Sequence, residues 1–165
     1  MRWERLFAEL EAQVGDVEIQ DRDALVDELA DGDWAVTSWR DLLGGHVELD
    51  VLGHGRLGGE AVLVNHLLVQ LRGERIDHIV SAAAVLSVLS SERRATDRSR
   101  VTDGLGWGHV FRALRQDPVR VRRTDGSTVD GSIGVVGGDF VRLRDEAGRD
   151  QVLPFGVVAV VSGRT

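Results

Sequence analysis

The chain has 165 residues, a formal net charge of −7 and no cysteine, so disulfides and thiolate metal sites are excluded. All 20 basic residues are arginine, which removes the lysine that a phosphate-binding loop of the Gly-Lys-Ser/Thr type requires. No apolar run approaches the roughly 20 residues of a membrane helix, and MRWERLFAELEAQ lacks the apolar stretch of a signal peptide, so a cytoplasmic protein with no membrane contact is the expectation.

Charge is uneven along the chain. Residues 1–33 hold 11 acids and 3 arginines, residues 34–90 hold 6 and 4, and residues 91–165 hold 10 and 13. The acidic head reads as helical. Trp3, Leu6, Phe7 and Leu10 fall on one helical face, and a second stretch, DRDALVDELADG, opens with acids that suit a helix N-terminus. Isolated helices this short are marginal in water. They need a surface to pack on, either their own domain or a partner, which makes Trp3, Leu6, Phe7 and Leu10 candidate interface residues.

Residues 34–90 predict a short helix near 36–43 and strands near 46–52, 56–64, 67–72, 77–82 and 84–89. Residues 91–104 are a polar Arg/Ser/Asp linker. Residues 105–165 begin with WGHVFRALRQ, whose Trp107, Val110, Phe111 and Leu114 share a helical face, and continue with strands near 118–124, 127–136, 139–144, 149–154 and 156–162. Asp125-Gly126 between alternating runs is a hairpin signal, because Asp-Gly supplies the positive φ angles of a type I′ turn.

The two halves are duplicates. Sliding residues 40–90 forward by 72 positions without a gap gives 13 identities in 51 positions, among them Val47 with Val119, Gly59 with Gly131, and Val69-x-Leu71-Arg72 with Val141-x-Leu143-Arg144. The last identities in this register are Val80, Val85, Val88 and Ser90 with Val152, Val157, Val160 and Ser162. This comparison also disposes of a tempting motif. Gly53-x-Gly55-x-x-Gly58 matches the dinucleotide fingerprint, but the second repeat reads DGSTVDG there and carries Gly134, Gly137 and Gly138 where a helix should follow. A glycine-rich hairpin is the better reading.

VRVRRTDGSTVDGSIGVVGGDFVRL, followed by VLPFGVVAVV, resembles the Sm-like pattern, in which a bent second strand pivots on a glycine, here Gly131. The whole chain resembles tandem Sm-like (SH3-like barrel) proteins of an uncharacterised actinobacterial type. The resemblance implies an α+β chain: an acidic N-terminal helical segment (1–33), then two five-stranded Sm-like barrels (34–90 and 105–165), each preceded by a short helix. It also implies RNA as a partner, held by polar residues after strand two, which places Asn65 and His66 as candidate base contacts. The basic residue expected before strand five is replaced by Ala82-Ala83-Ala84 and Pro154-Phe155-Gly156.

Arg120, Arg122 and Arg123 on one strand are candidate phosphate contacts, diluted by Asp125 and Asp130. Glu48 and Asp50 occupy the positions of Arg120 and Arg122 in the other repeat, so equivalent sites of opposite sign are candidates for pairing within or between chains. The five histidines show no metal-ligand spacing, and no nucleophile motif is present. The sequence therefore reads as a non-catalytic binding or assembly module without cofactor or small-molecule substrate. A protein partner or self-association is favoured over RNA.

Overall fold

The computed structural model describes residues 32, 34–92 and 102–164. The chain divides into two units, Met1–Ser38 and Trp39–Thr165. In the first, Gly32, Trp34 and Ala35 are helical, and the Thr37 amide donates to the Trp34 carbonyl at 3.0 Å. The helices expected over 1–31, with Trp3, Leu6, Phe7 and Leu10, lie outside the described residues.

The second unit contains β1 (His46–Val51), β2 (Gly55–Val64), β3 (Leu68–Arg72), β4 (Ile76–Ser81) and β5 (Val85–Ser91). Then come the helix α1 (Trp107–Ala113) and β6 (Pro118–Arg123), β7 (Thr128–Val136), β8 (Phe140–Arg144), β9 (Asp150–Pro154) and β10 (Val158–Arg164). Alternation drives the strands: β1 buries Val47, Leu49 and Val51, while β6 buries Val119 and Val121.

The expected pair of five-stranded barrels does not form. All ten strands make one antiparallel sheet in the order β5-β1-β2-β3-β4-β10-β6-β7-β8-β9, open at β5 and β9. The physical reason lies in β10. Val158, Ala159, Val160 and Val161 are all at most 1% exposed, with Ala159 and Val160 in the first repeat's core and Val158 and Val161 in the second's. Fully burying a valine is worth about 1.5–3 kcal/mol. Pairing β10 with β4 buries both of its faces, and a bulge between Val158 and Val160 sets the two directions. Neighbouring residues elsewhere split in the same way: Val69 and Val80 face the first core, Leu68 and Ile79 the second.

A second correction concerns the helix expected before β1. Trp39–Leu42 is a single 3-10 turn, whereas its counterpart α1 is α-helical. Gly44-Gly45 follows at once, with Gly45 at φ +66°, and Ser91 Oγ donates to the Leu42 carbonyl at 2.7 Å.

The duplication is visible in the register, bond for bond, through β3. Val47 faces Gly59 as Val119 faces Gly131, and the bulge between Ala61 and Leu63 recurs between Ile133 and Val135. Beyond that point the offset is 73, not 72. The β3–β4 connection joins Arg72 to its partner Asp77, while β8–β9 joins Arg144 to Asp150, one residue longer. Val80 is therefore the counterpart of buried Leu153, and Val152, which is 52% exposed, is the counterpart of Ile79. The ungapped matches of Val80, Val85 and Val88 are one residue out, whereas a further bulge in β5 brings Ser90 back into step, facing Glu48 as Ser162 faces Arg120.

Gly59 and Gly131 are required by close approach rather than by unusual φ. A Cβ at Gly59 would lie 2.8 Å from the Arg72 carbonyl oxygen, and one at Gly131 would lie 2.4 Å from that of Arg144.

Candidate functional site

The chain's most informative surfaces are the seam inside the sheet and the two edges that duplicate it. At the seam, Val160 pairs with Val80, Val161 with Ile79, Ser162 with His78 and Gly163 with Asp77. Its apolar end joins the two cores. Its other end is polar: His78 Nδ1 and Ser162 Oγ are 2.9 Å apart, and His54 meets His78 edge-on at 6.2 Å. His54 Nδ1 and Asp77 Oδ1 are buried without a hydrogen-bond partner among the described residues. Burial holds both imidazoles below their ordinary pKa. The Arg122 charge adds to this at His54, and at His78 the His54 charge adds while Asp77 opposes it.

The would-be nucleotide fingerprint lies at this seam. Gly53 has φ +75°, and a Cβ there would fall 2.3 Å from the Arg123 carbonyl oxygen and 2.9 Å from Thr124 O and Gly126 N. The β1–β2 turn is thus pressed against the duplicate β6–β7 turn. Glycine serves that contact.

The outer strands are the unpaired counterparts of the seam strands: β9 corresponds to β4, and β5 to β10. Among the described residues neither has a neighbour on its outer side. β5 presents Leu86 at 60% and Leu89 at 42% exposure. On β9, the amides of Asp145 and Phe155 bond to Arg149 O and Asp139 O, so inward hydrogen bonds fall on odd-numbered β9 residues. The Val152 amide points away from the sheet, and the next outward position is Pro154, which has no amide hydrogen.

The faces of the sheet differ in the same way. In the first repeat, Leu63, Gln70 and Ile79 form a cross-strand row beside Leu68, and α1 covers it, leaving a cavity of about 320 Å³ that Gln70, His109 and Ala113 help to line. In the second repeat the same row is Val135, Arg142 and Val152 beside Phe140, and Val135 is 44% exposed. Sequence reasoning missed these residues. The repeat pointed to them, but the ungapped register matched Val152 with a core valine.

The sequence-derived candidates are dispersed. Asn65 is buried. Its Oδ1 accepts from the Leu67 and Leu68 amides at 2.8 Å each, and its Nδ2 donates to the Leu105 carbonyl at 2.9 Å. It ties the β2–β3 turn to the segment before α1. His66 is exposed in that turn. Strands β4 and β10 stand between β3 and the strand bearing Arg120, Arg122 and Arg123.

Arg120 makes a bidentate pair with Asp130 at 2.8 and 3.0 Å, Arg122 donates to the Gly126 carbonyl at 2.9 Å, and Arg123 bonds Ser127 Oγ. The Arg120 guanidinium holds the Asp130 carboxyl below its usual range. Glu48 and Asp50 are half-buried on β1, with four strands between them and β6. Among the described residues no ion pair joins them to Arg120 or Arg122. Among the described residues, no helix is long and apolar enough to cross a membrane.

No protein-family model matches the chain, and no curated protein matches it.

Proposed function

We propose that this chain is a non-catalytic assembly module that associates head to tail with further copies of itself, β9 of one copy pairing antiparallel with β5 of the next. The observation that carries this reading is the seam. β4 and β10 already form such a pair, and their duplicates β9 and β5 stand unpaired at opposite ends of the sheet. Transferring the seam register through the matched positions of β5 and β10 sets Leu153 against Ser87, Val152 against Val88 and, past the bulge in β5, Gln151 against Ser90. The contact would cover Leu86, whose seam counterpart Ala159 is fully buried. An interface between two different surfaces of one chain is heterologous, so it propagates into a ring if the rotation closes and a filament if it does not.

RNA binding is the competing use of this chain. It draws on Arg120, Arg122, Arg123 and His66, but the first three are engaged with Asp130, Gly126 and Ser127. Self-association is therefore the better supported reading.

Sedimentation velocity over a concentration series tests it. Species larger than the 18.0 kDa chain are expected, growing with concentration. Val152→Pro deletes an outward amide while sparing the bonds to β8, and should return the protein to the monomer with an unchanged circular dichroism spectrum. A wild-type chain that stays monomeric up to its solubility limit overturns the reading.

A further inference from the structure

We infer that the second repeat's outer row is a further contact surface for the next copy, received by that copy's Trp39–Leu42 turn, with Arg142 of one chain paired to Asp41 of the other. The inference rests on the head-to-tail reading and deepens it.

Its basis is that one surface occurs twice and is covered once. Leu63, Gln70 and Ile79 lie under α1, which belongs to the repeat joined through β10. Val135, Arg142 and Val152 are the same row in the second repeat, and it is open. A copy added through β5 would bring its Trp39–Leu42 turn, the counterpart of the C-terminal end of α1, to that row. At the offset of the repeat, Phe111, Ala113 and Leu114 become Trp39, Asp41 and Leu42. Trp39 packs on the first core as Phe111 packs in the second, so the turn holds the same station in its own repeat.

The substitutions between the two versions are complementary. Gln70 and Ala113 line one cavity, so they face a common space. Their counterparts are Arg142, which is exposed, makes no ion pair among the described residues and has the Asp150 carboxylate as an electrostatic neighbour, and Asp41. A neutral, underfilled contact inside the chain becomes a long cation facing a carboxylate between chains. Val135 and Val152 flank Arg142 on the adjacent strands and would shield that pair from water.

Charge reversal decides the matter, with association measured by sedimentation for the full chain. Arg142→Glu and Asp41→Arg should each weaken association roughly three- to tenfold, and the double variant, which restores opposite charges at every contact, should recover it. Melting curves of the variants as monomers report that they fold. If the wild type associates and Val152→Pro dissociates it while both reversals behave as wild type, this contact is overturned and the edge pairing stands. A double variant that fails to recover association overturns the contact equally. If the wild type is monomeric, the edge pairing itself has failed.

Discussion

The two repeats share strand order throughout and register and bulge through the third strand, yet each exposes what the other hides. The first has its fourth strand paired and its outer row covered by α1, whereas the second has its fourth strand bare and its outer row open. At the fifth strand the roles are reversed, because β10 is buried on both faces while β5 carries exposed Leu86 and Leu89. The seam is therefore a property of position and not of either repeat. Duplication fused one copy of the contact and left one unmatched half of it at each end. Matched substitutions in the two repeats perturb this contrast by graded amounts.

The sharpest comparison is between the pivot glycines. Overpacking against an immovable neighbour costs about 1–3 kcal/mol, and occasionally more. A Cβ at Gly131 would approach the Arg144 carbonyl oxygen to 2.4 Å and its carbon to 2.9 Å, whereas at Gly59 the Arg72 oxygen lies at 2.8 Å. Gly131→Ala should therefore destabilise by about 3 kcal/mol and Gly59→Ala by about 1–2 kcal/mol in urea unfolding. Equal losses at the two sites would show that these strands shift as readily in one repeat as in the other.

The turn after the second strand gives the next comparison. In the first repeat Asn65 satisfies two amides and a carbonyl, while its counterpart Gly137 makes only a backbone bond to Phe140. Leaving a buried donor or acceptor unpaired costs about 1–3 kcal/mol. Asn65→Ala should lower unfolding stability by about 2 kcal/mol, and Asn65→Asp should not restore it, since the aspartate keeps the acceptor but sets a buried carboxylate oxygen against the Leu105 carbonyl. No stability loss in Asn65→Ala would mean that the side chain is free to serve another purpose, such as contacting a base.

Much of the sheet was legible because its signals are local. Alternation marked the strands, Asp125-Gly126 marked a hairpin, and every strand begins and ends within two residues of its expected bounds. The linkage of β4 to β10 was not legible, because hydrogen bonds between distant strands leave no period in either one. The run VVAVV did carry a trace of it, since four consecutive buried residues need a core on each face. The candidate surface was hidden by one residue. The longer β8–β9 turn shifts the repeat, and Val80 with Val152 looked like a core match when the true partner is Leu153. Asn65 was legible as a polar turn residue, but its bond to Leu105 depends on α1 approaching from the other repeat.

The seam's polar end gives the smallest and most specific effect. His54 and His78 have no counterparts that titrate, because the repeat places Gly126 and Gln151 there. Both imidazoles are held below 6.5 by burial, with the Arg122 charge adding at His54 and the His54 charge adding at His78, where Asp77 pulls partly back. Between the folded values and 6.5 the unfolded chain binds more protons, so stability rises with pH across that window and falls as the pH drops through it.

The surface carboxylates Asp130 and Asp150 are held low by Arg120 and Arg144, so their contribution is present above 3.8 and is lost only as the pH falls below it. Melting temperature should therefore decline as the pH falls from about 7 to about 5, a range in which those carboxylates stay ionised. His78→Gln, which installs the residue of the other repeat, should flatten that decline. An unchanged slope in His78→Gln would place the titrating group away from the seam and remove the one pH-sensitive difference between the contact inside the chain and its copies at the edges.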